Sequence, residues 1–336
     1  MSELRAADLD YVLPRERIAL RPLEARDASR LLVVAERVMH HTFRELPELL
    51  PEGCLVVVND SRVVPARIFG TRVPGGGRVE LVCVRPVGDV WLCLGQASKP
   101  LRPGSLLDFH GMRAAIVARR DDELLEVRFD GDITALLARA GRVPLPPYLG
   151  RDDNEDDRAR YQTVYAQAPG SVAAPTAGLH FTPELLARLR ARTEVASVTL
   201  HVGPGTFLPP RGDDPSEWRV PPEPYAIPDA TAAAIESARA RRRTIVAVGT
   251  TAVRTLETFA RTGRSAGETD LVLRPGDAFR LVGGLVSNFH LPRSTLLALV
   301  CALGGRARVL GAYKEAIAAG YRFLSYGDAT LIWPAR

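Results

Sequence analysis

Between about Arg67 and Pro147 the chain alternates short apolar runs with turn residues. VELVCV (79–84), VWLCL (90–94), LLDF (106–109), AAIVA (114–118) and LLEVRF (124–129) are cut by three glycines at 75–77, Gly88, Pro103-Gly104, Gly111 and Asp121-Asp122. Five β-rich runs at this spacing predict a small antiparallel barrel or sandwich. It ends at LPPYLGR (145–151), where proline blocks regular structure, and the acidic run DDNEDD (152–157) follows.

The flanking segments have a longer period. TIVAVG (244–249) reads as a strand leading into a helix over 252–260, and LVSNF (285–289) as a strand leading into a helix over 294–303. In the second helix Leu296, Leu297, Val300 and Cys301 share one face, as a buried helix requires. Strand, loop and helix in alternation define an α/β sheet. The expected organisation is a discontinuous α/β domain, 1–66 plus 151–336, with a β domain inserted at 67–150. ARARRR (238–243) reads as a solvated helix end.

Composition narrows the class. With 336 residues, 46% hydrophobic and 25% charged, the chain is of the soluble globular kind and long enough for two cores. Its 44 basic and 39 acidic residues leave +5, which permits a nucleic-acid partner without demanding one. Four separated cysteines, Cys54, Cys83, Cys93 and Cys301, support neither a disulfide framework nor a zinc knuckle. The longest apolar run, 296–303, is too short for a bilayer. A cytoplasmic, membrane-free monomer is the expectation.

Open α/β sheets bind ligands in the loops that follow their strands. Four such loops stand out: AAPTAGLHF (173–181), TLHVGPGTF (199–207), VGTTAVRTLE (248–257) and SNFHLPRSTL (287–296). In the third, Gly249-Thr250-Thr251 runs straight into a helix and offers free N–H groups and hydroxyls to a ligand; the plain alternative is an N-cap by Thr250 or Thr251. Arg254 and Glu257 lie three apart and either face that site or pair with each other. Gly203 and Gly205 beside Thr206 let backbone approach a ligand, or simply pack a tight turn. Thr182 and Pro183 predict a helix start, leaving Thr176, Gly178 and His180 in a ligand-capable loop. Asn288 lies in the fourth loop, and Tyr326 and Asp328 lie in YRFLSYGDATLI (321–332).

His180, His201 and His290 all fall in these segments, which raises a three-histidine metal hydrolase as an alternative. None belongs to a metal-binding spacing.

Taken in order, these loops resemble the S-adenosylmethionine:tRNA ribosyltransferase-isomerase family of queuosine biosynthesis. The match also includes DYVLPRERIA (10–19), RDASRLLV (26–33), NDSRVVPAR (59–67), LPPYLGR and RYQTVYA (160–166), nearly end to end. The resemblance implies an antiparallel β-barrel inserted into a three-layer α/β domain. It also implies a reaction in which the ribose of S-adenosylmethionine moves to the aminomethyl group of 7-aminomethyl-7-deazaguanine in tRNA, giving epoxyqueuosine, adenine and methionine. S-adenosylmethionine is then a substrate, tRNA a partner, and no metal or prosthetic group is needed.

That chemistry needs a base for the ribose C5′ proton, which the sulfonium acidifies, and an acid for departing adenine. His180, His201, His290, Glu257 and Asp328 are the titratable candidates. Thr250, Thr251 and Arg254 are candidates for the methionine and ribose parts, with Thr176, Gly178, Gly203, Gly205, Thr206, Asn288 and Tyr326 as further substrate contacts. One segment departs from the family pattern H-x-M-H-x-E-x-Y. Here residues 218–225 read WRVPPEPY, so Glu223 and Tyr225 remain while Trp218, Val220 and Pro221 replace His, Met and His. This departure leaves open a divergent member that uses S-adenosylmethionine with another, small-molecule acceptor.

Overall fold

The computed structural model describes residues 4–121, 123–203, 205, 210 and 212–335. In chain order the first elements are β1 (Arg30–Val34), β2 (Val38–Thr42), α1 (Leu46–Leu49), β3 (Leu55–Asn59) and β4 (Ser61–Val63). Six strands follow: β5 (Arg67–Val73), β6 (Arg78–Val87), β7 (Val90–Ala97), β8 (Leu106–Phe109), β9 (Met112–Arg119) and β10 (Leu125–Phe129). The chain then forms α2 (Ile133–Ala140), α3 (Glu155–Arg160), β11 (Ala168–Ser171), α4 (Pro183–Arg192), β12 (Glu194–Leu200), β13 (Glu223–Ala226), α5 (Asp229–Ala240) and β14 (Ile245–Val248). It ends with α6 (Thr250–Thr262), β15 (Ala266–Thr269), β16 (Val282–Asn288), α7 (Thr295–Gly304), α8 (Arg306–Ala318) and β17 (Ala329–Ile332).

Strands β5–β10 close an antiparallel barrel in the order β10-β7-β6-β5-β8-β9. Alternate residues such as Val79, Leu81 and Cys83 turn inward, and α2 seals the core with Ile133, Leu136 and Leu137. The five predicted runs are β6–β10. The sixth strand, β5, escaped the pattern because only Ile68 in it is fully inward and Gly70 interrupts it. That glycine is required: a Cβ there would stand 2.4 Å from both the Asp108 carbonyl and the Phe109 ring. Where the chain enters and leaves the barrel, Arg67 and Arg142 exchange backbone hydrogen bonds of 3.1 and 2.7 Å, forming a two-stranded neck.

The larger sheet has nine strands in the order β15-β13-β12-β3-β14-β16-β17-β1-β2. Its central strands are buried on both faces, as parallel sheets require. Leu55 and Val57 of β3 share one core with residues of α5, α6, α7 and α8, whereas Val56 and Val58 share another with residues of α1 and α4. Helix, sheet and helix therefore form three layers, as the resemblance implied. From β3 the chain passes α4 on one face to reach β12, then returns over α5 on the other face to β14. The winding thus reverses between β3 and β14, and the crevice beyond their carboxyl ends is where such sheets take ligands. Among the described residues no single helix is long and apolar enough to cross a membrane; α7 turns by 112° into α8.

Candidate active site

A cleft of about 820 Å³, open to solvent, lies at that reversal. Thr176, Val202, Thr250, Thr251, Arg254, Asn288 and His290 line it, so all four predicted loops converge there. Gly249 ends β14 with φ +90°, which frees the next residue to start α6 directly. It, and neither threonine, is the N-cap: Thr250 and Thr251 occupy the first helical turn, and no side chain caps the helix. Their backbone N–H groups consequently remain available for an anion. Asn59, at the end of β3, donates at 3.1 Å to Thr251 Oγ1 and links the two strand ends.

His290 follows β16, and its Nε2 lies 2.8 Å from the Ser287 hydroxyl. Burial pulls its pKa down to about 4, so the imidazole is neutral at physiological pH. His180 does not line the cleft. It lies behind Asn288, with Nδ1 2.7 Å from Ser29 Oγ and Nε2 3.2 Å from Asn288 Nδ2. Burial first, then the charges of Arg26 and Arg322, bring His180 to about 3. His201 faces a different groove, between barrel and sheet, with Trp91, Leu137, Gly203 and Glu223. Its pKa is lowered by burial against an opposing pull from Asp60.

The remaining candidates hold the framework together. Arg254 and Glu257 do not pair. Arg254 binds Glu223 and the carbonyls of Leu271 and Thr269, so its three nitrogens are occupied although it borders the cleft. Glu257 is fully buried, pairs with Arg261 and accepts from the amides of Arg280, Leu281 and Val282. Asp328 accepts from the backbone of Arg30 and Arg322; burial raises its pKa, and these two hydrogen bonds lower it. Tyr326 donates to Asp157 at 2.7 Å. Gly178 packs against Tyr165, and Gly203 donates to Glu223 at 2.7 Å. Gly205 borders a smaller cavity with Pro221 and Arg254. Thr206 lies outside the described residues.

Tyr148, Tyr161, Ser287 and Ser325 also line the cleft, and reading only the strand-end loops missed both tyrosines. Their signal was LPPYLGR and RYQTVYA, segments that belong to the resemblance but not to a strand end. Tyr148 bonds Ser325, while the buried Tyr161 hydroxyl lies near Ser325 and the Ala174 backbone without closing a hydrogen bond to either. In the altered segment, Trp218 is core, its Nε1 donating at 3.2 Å to Gly212 O. Among the described residues no three His, Cys, Asp or Glu side chains converge as metal ligands, and His180 behind Asn288, His201 in another groove and His290 beside Ser287 leave the three-histidine hydrolase without a geometric basis.

A neutral histidine, paired hydroxyls and free helix-start amides around a strand-end crevice define an α/β enzyme of the small-molecule-binding kind. The chain matches the model of the queuosine biosynthesis protein family over residues 6–332. It is 53% identical to "S-adenosylmethionine:tRNA ribosyltransferase-isomerase" of Anaeromyxobacter sp. (strain Fw109-5), covering 98% of this chain and 99% of that one. With the enzyme of the same name from Thermus thermophilus it shares 49% identity over 96% and 98% of the two chains. The crystal structure of S-adenosylmethionine tRNA ribosyltransferase from Thermotoga maritima superposes with a TM-score of 0.56 at 36% identity, covering 97% of this chain and 99% of that chain. The protein belongs to the queuosine biosynthesis family.

Proposed function

We propose that this enzyme transfers and isomerises the ribose of S-adenosylmethionine onto the aminomethyl group of 7-aminomethyl-7-deazaguanine in tRNA, releasing adenine and methionine and leaving epoxyqueuosine. The observation that carries the reading is convergence: segments scattered from 148 to 325 that make up the family resemblance meet around one cleft. The methionine carboxylate sits at the first turn of α6, where unpaired N–H groups and the helix dipole favour an anion. Thr250 and Thr251 add hydroxyl contacts, and Arg254 holds that turn from behind. His290 is the base for the C5′ proton. Its low pKa keeps it unprotonated, and Ser287 fixes its ring. Glu257 and Asp328 serve the fold, since each already accepts backbone hydrogen bonds.

The same reading makes S-adenosylmethionine a substrate, tRNA the partner, the cytoplasm the working compartment and the monomer the working form, with no prosthetic group. Trp218 as core supports an architectural role for the altered segment and therefore retention of the tRNA acceptor. The test is to incubate the protein with S-adenosylmethionine and tRNA carrying 7-aminomethyl-7-deazaguanine, then digest the tRNA and look for epoxyqueuosine by mass spectrometry alongside free adenine. Product is expected. S-adenosylmethionine binding without product would move the acceptor to a small molecule.

A further inference from the structure

Asn288 has an unusual hydrogen-bond balance. Its side chain is buried at 2% exposure, yet Oδ1 has no partner in the protein while the amide nitrogen has two. The orientation is fixed from behind. Nδ2 lies 3.1 Å from the Leu324 carbonyl, which accepts only, so the nitrogen and not the oxygen must face it. The second N–H of Nδ2 points to His180 Nε2 at 3.2 Å, which must then carry a bare lone pair. His180 therefore has its proton on Nδ1 and donates it at 2.7 Å to Ser29 Oγ, whose own hydroxyl turns to the Arg26 carbonyl at 3.3 Å. Each link has one sense, and the chain Ser29–His180–Asn288 ends in an acceptor on the cleft wall. A protonated His180 would set an N–H against the Asn288 amide, and burial beside Arg26 and Arg322 prevents that charge.

A buried acceptor left unpaired costs stability, and such groups survive where a ligand completes them. The ligand must bring a donor. S-adenosylmethionine carries three kinds: an ammonium, ribose hydroxyls and the exocyclic amine of adenine. The ammonium shares a carbon with the carboxylate that the proposed reading seats at the first turn of α6, and no described Asp or Glu lines the cleft to draw it elsewhere. Ribose hydroxyls have Thr250, Thr251 and Ser287 to meet them. The same cleft is lined by apolar Ala174, Ala177, Phe289 and Leu324, which suits a flat neutral ring with one amino group at its edge. We infer that Asn288 Oδ1 accepts a hydrogen bond from the 6-amino group of adenine in S-adenosylmethionine, and that His180 is the positioning residue that aims it. The inference rests on the cleft being the S-adenosylmethionine site.

The test is calorimetric binding of two ligands, S-adenosylmethionine and the analogue in which hydrogen replaces the 6-amino group. The wild-type protein is expected to prefer the amino ligand by roughly ten- to a hundredfold. Asn288→Leu should bind both alike, and His180→Leu should lose most of the preference while retaining the analogue's affinity. A merely structural role for His180 would weaken both ligands equally and leave the ratio intact. Equal affinities in the wild-type protein, a comparison that needs no variant to fold, would overturn the inference, as would an unchanged preference in Asn288→Leu. Failure of the wild-type protein to bind either ligand would overturn the assignment of the cleft itself.

Discussion

The barrel and the large sheet solve the same burial problem with different tolerance for polar groups. In the barrel every strand has two partners, the interior is apolar, and Arg67–Glu80, Arg113–Asp108 and Arg128–Asp89 pair at the periphery. Among the described residues, the buried side-chain polar atoms without a partner all lie between 153 and 322, none between 67 and 150. In the barrel, local pattern and final structure agree for β6–β10, and only β5 departs from it. In the α/β part some buried polar groups are left unmet; of these Tyr161 and Asn288 line the cleft and His201 lies one groove away. Unmet hydrogen-bonding capacity marks where a protein has been built for something besides its own stability.

The largest contrast should come from His290. His290→Gln removes the proposed base while leaving a side chain able to bond Ser287, and should lower kcat by roughly 10²–10⁴-fold. S-adenosylmethionine affinity and thermal midpoint should barely move. If binding falls in step with turnover, His290 holds the ground state and another group takes the proton. The mirror experiment is Phe109→Ala in the barrel. It deletes a fully buried ring and should cost about 3–5 kcal/mol. Calorimetric unfolding should register that loss, with S-adenosylmethionine affinity of the folded protein unchanged.

Glu257 tests the boundary between the two kinds of polar group. It is buried, yet Arg261 and three backbone amides satisfy it fully. Glu257→Gln should destabilise by about 3–5 kcal/mol because it uncouples a buried charge pair and sets an N–H donor against amide donors. A variant with intact stability and abolished turnover would return Glu257 to the chemistry.

Acid should expose the same asymmetry. His180 and His290 are held near 3 and 4 when folded and return to the ordinary value near 6.5 on unfolding. Between those limits the unfolded chain binds protons that the folded one refuses, so stability falls as pH drops below 6.5. Each histidine should remove about 2 kcal/mol by pH 5. Urea midpoints at pH 7 and 5 measure this, and His180→Leu should flatten the dependence. Because the folded His290 stays neutral, kcat/KM should remain level from pH 8 to 6.

How much of this could be read in advance follows from range. The barrel strands β6–β10, the start of α4 at Thr182-Pro183 and the start of α7 behind Ser294 rest on neighbours within a few residues, and sequence spacing displayed them. Strand β5 did not, because only Ile68 in it is fully inward, and its two edges are taken by β6 next in sequence and by β8 more than thirty residues on. The strand-end loops were legible as glycine-rich and hydroxyl-bearing. The roles inside them were not, since Arg254 is claimed by Glu223, Glu257 by residues 280–282 and Asp328 by Arg30, partners that only the fold supplies.

Two helix caps give the smallest and most discriminating test. Thr182 Oγ1 accepts from Leu185 N at 3.1 Å at the head of α4, and Asp132 Oδ1 accepts from Thr134 N and Ala135 N at 2.9 and 3.1 Å at the head of α2. Replacing either by alanine should cost about 1 kcal/mol, a shift small enough to leave both proteins folded. Their positions differ. Thr182 stands two residues after His180, so fraying α4 loosens the short helix Thr176–His180 that positions Asn288. Asp132 caps a helix whose inner face meets only barrel core. Thr182→Ala should therefore weaken S-adenosylmethionine binding by a few-fold, and Asp132→Ala should leave it alone at equal cost in stability. Equal loss of affinity in both would mean that the barrel, too, shapes the cleft, and the division between a self-satisfied scaffold and a ligand-completed site would fail.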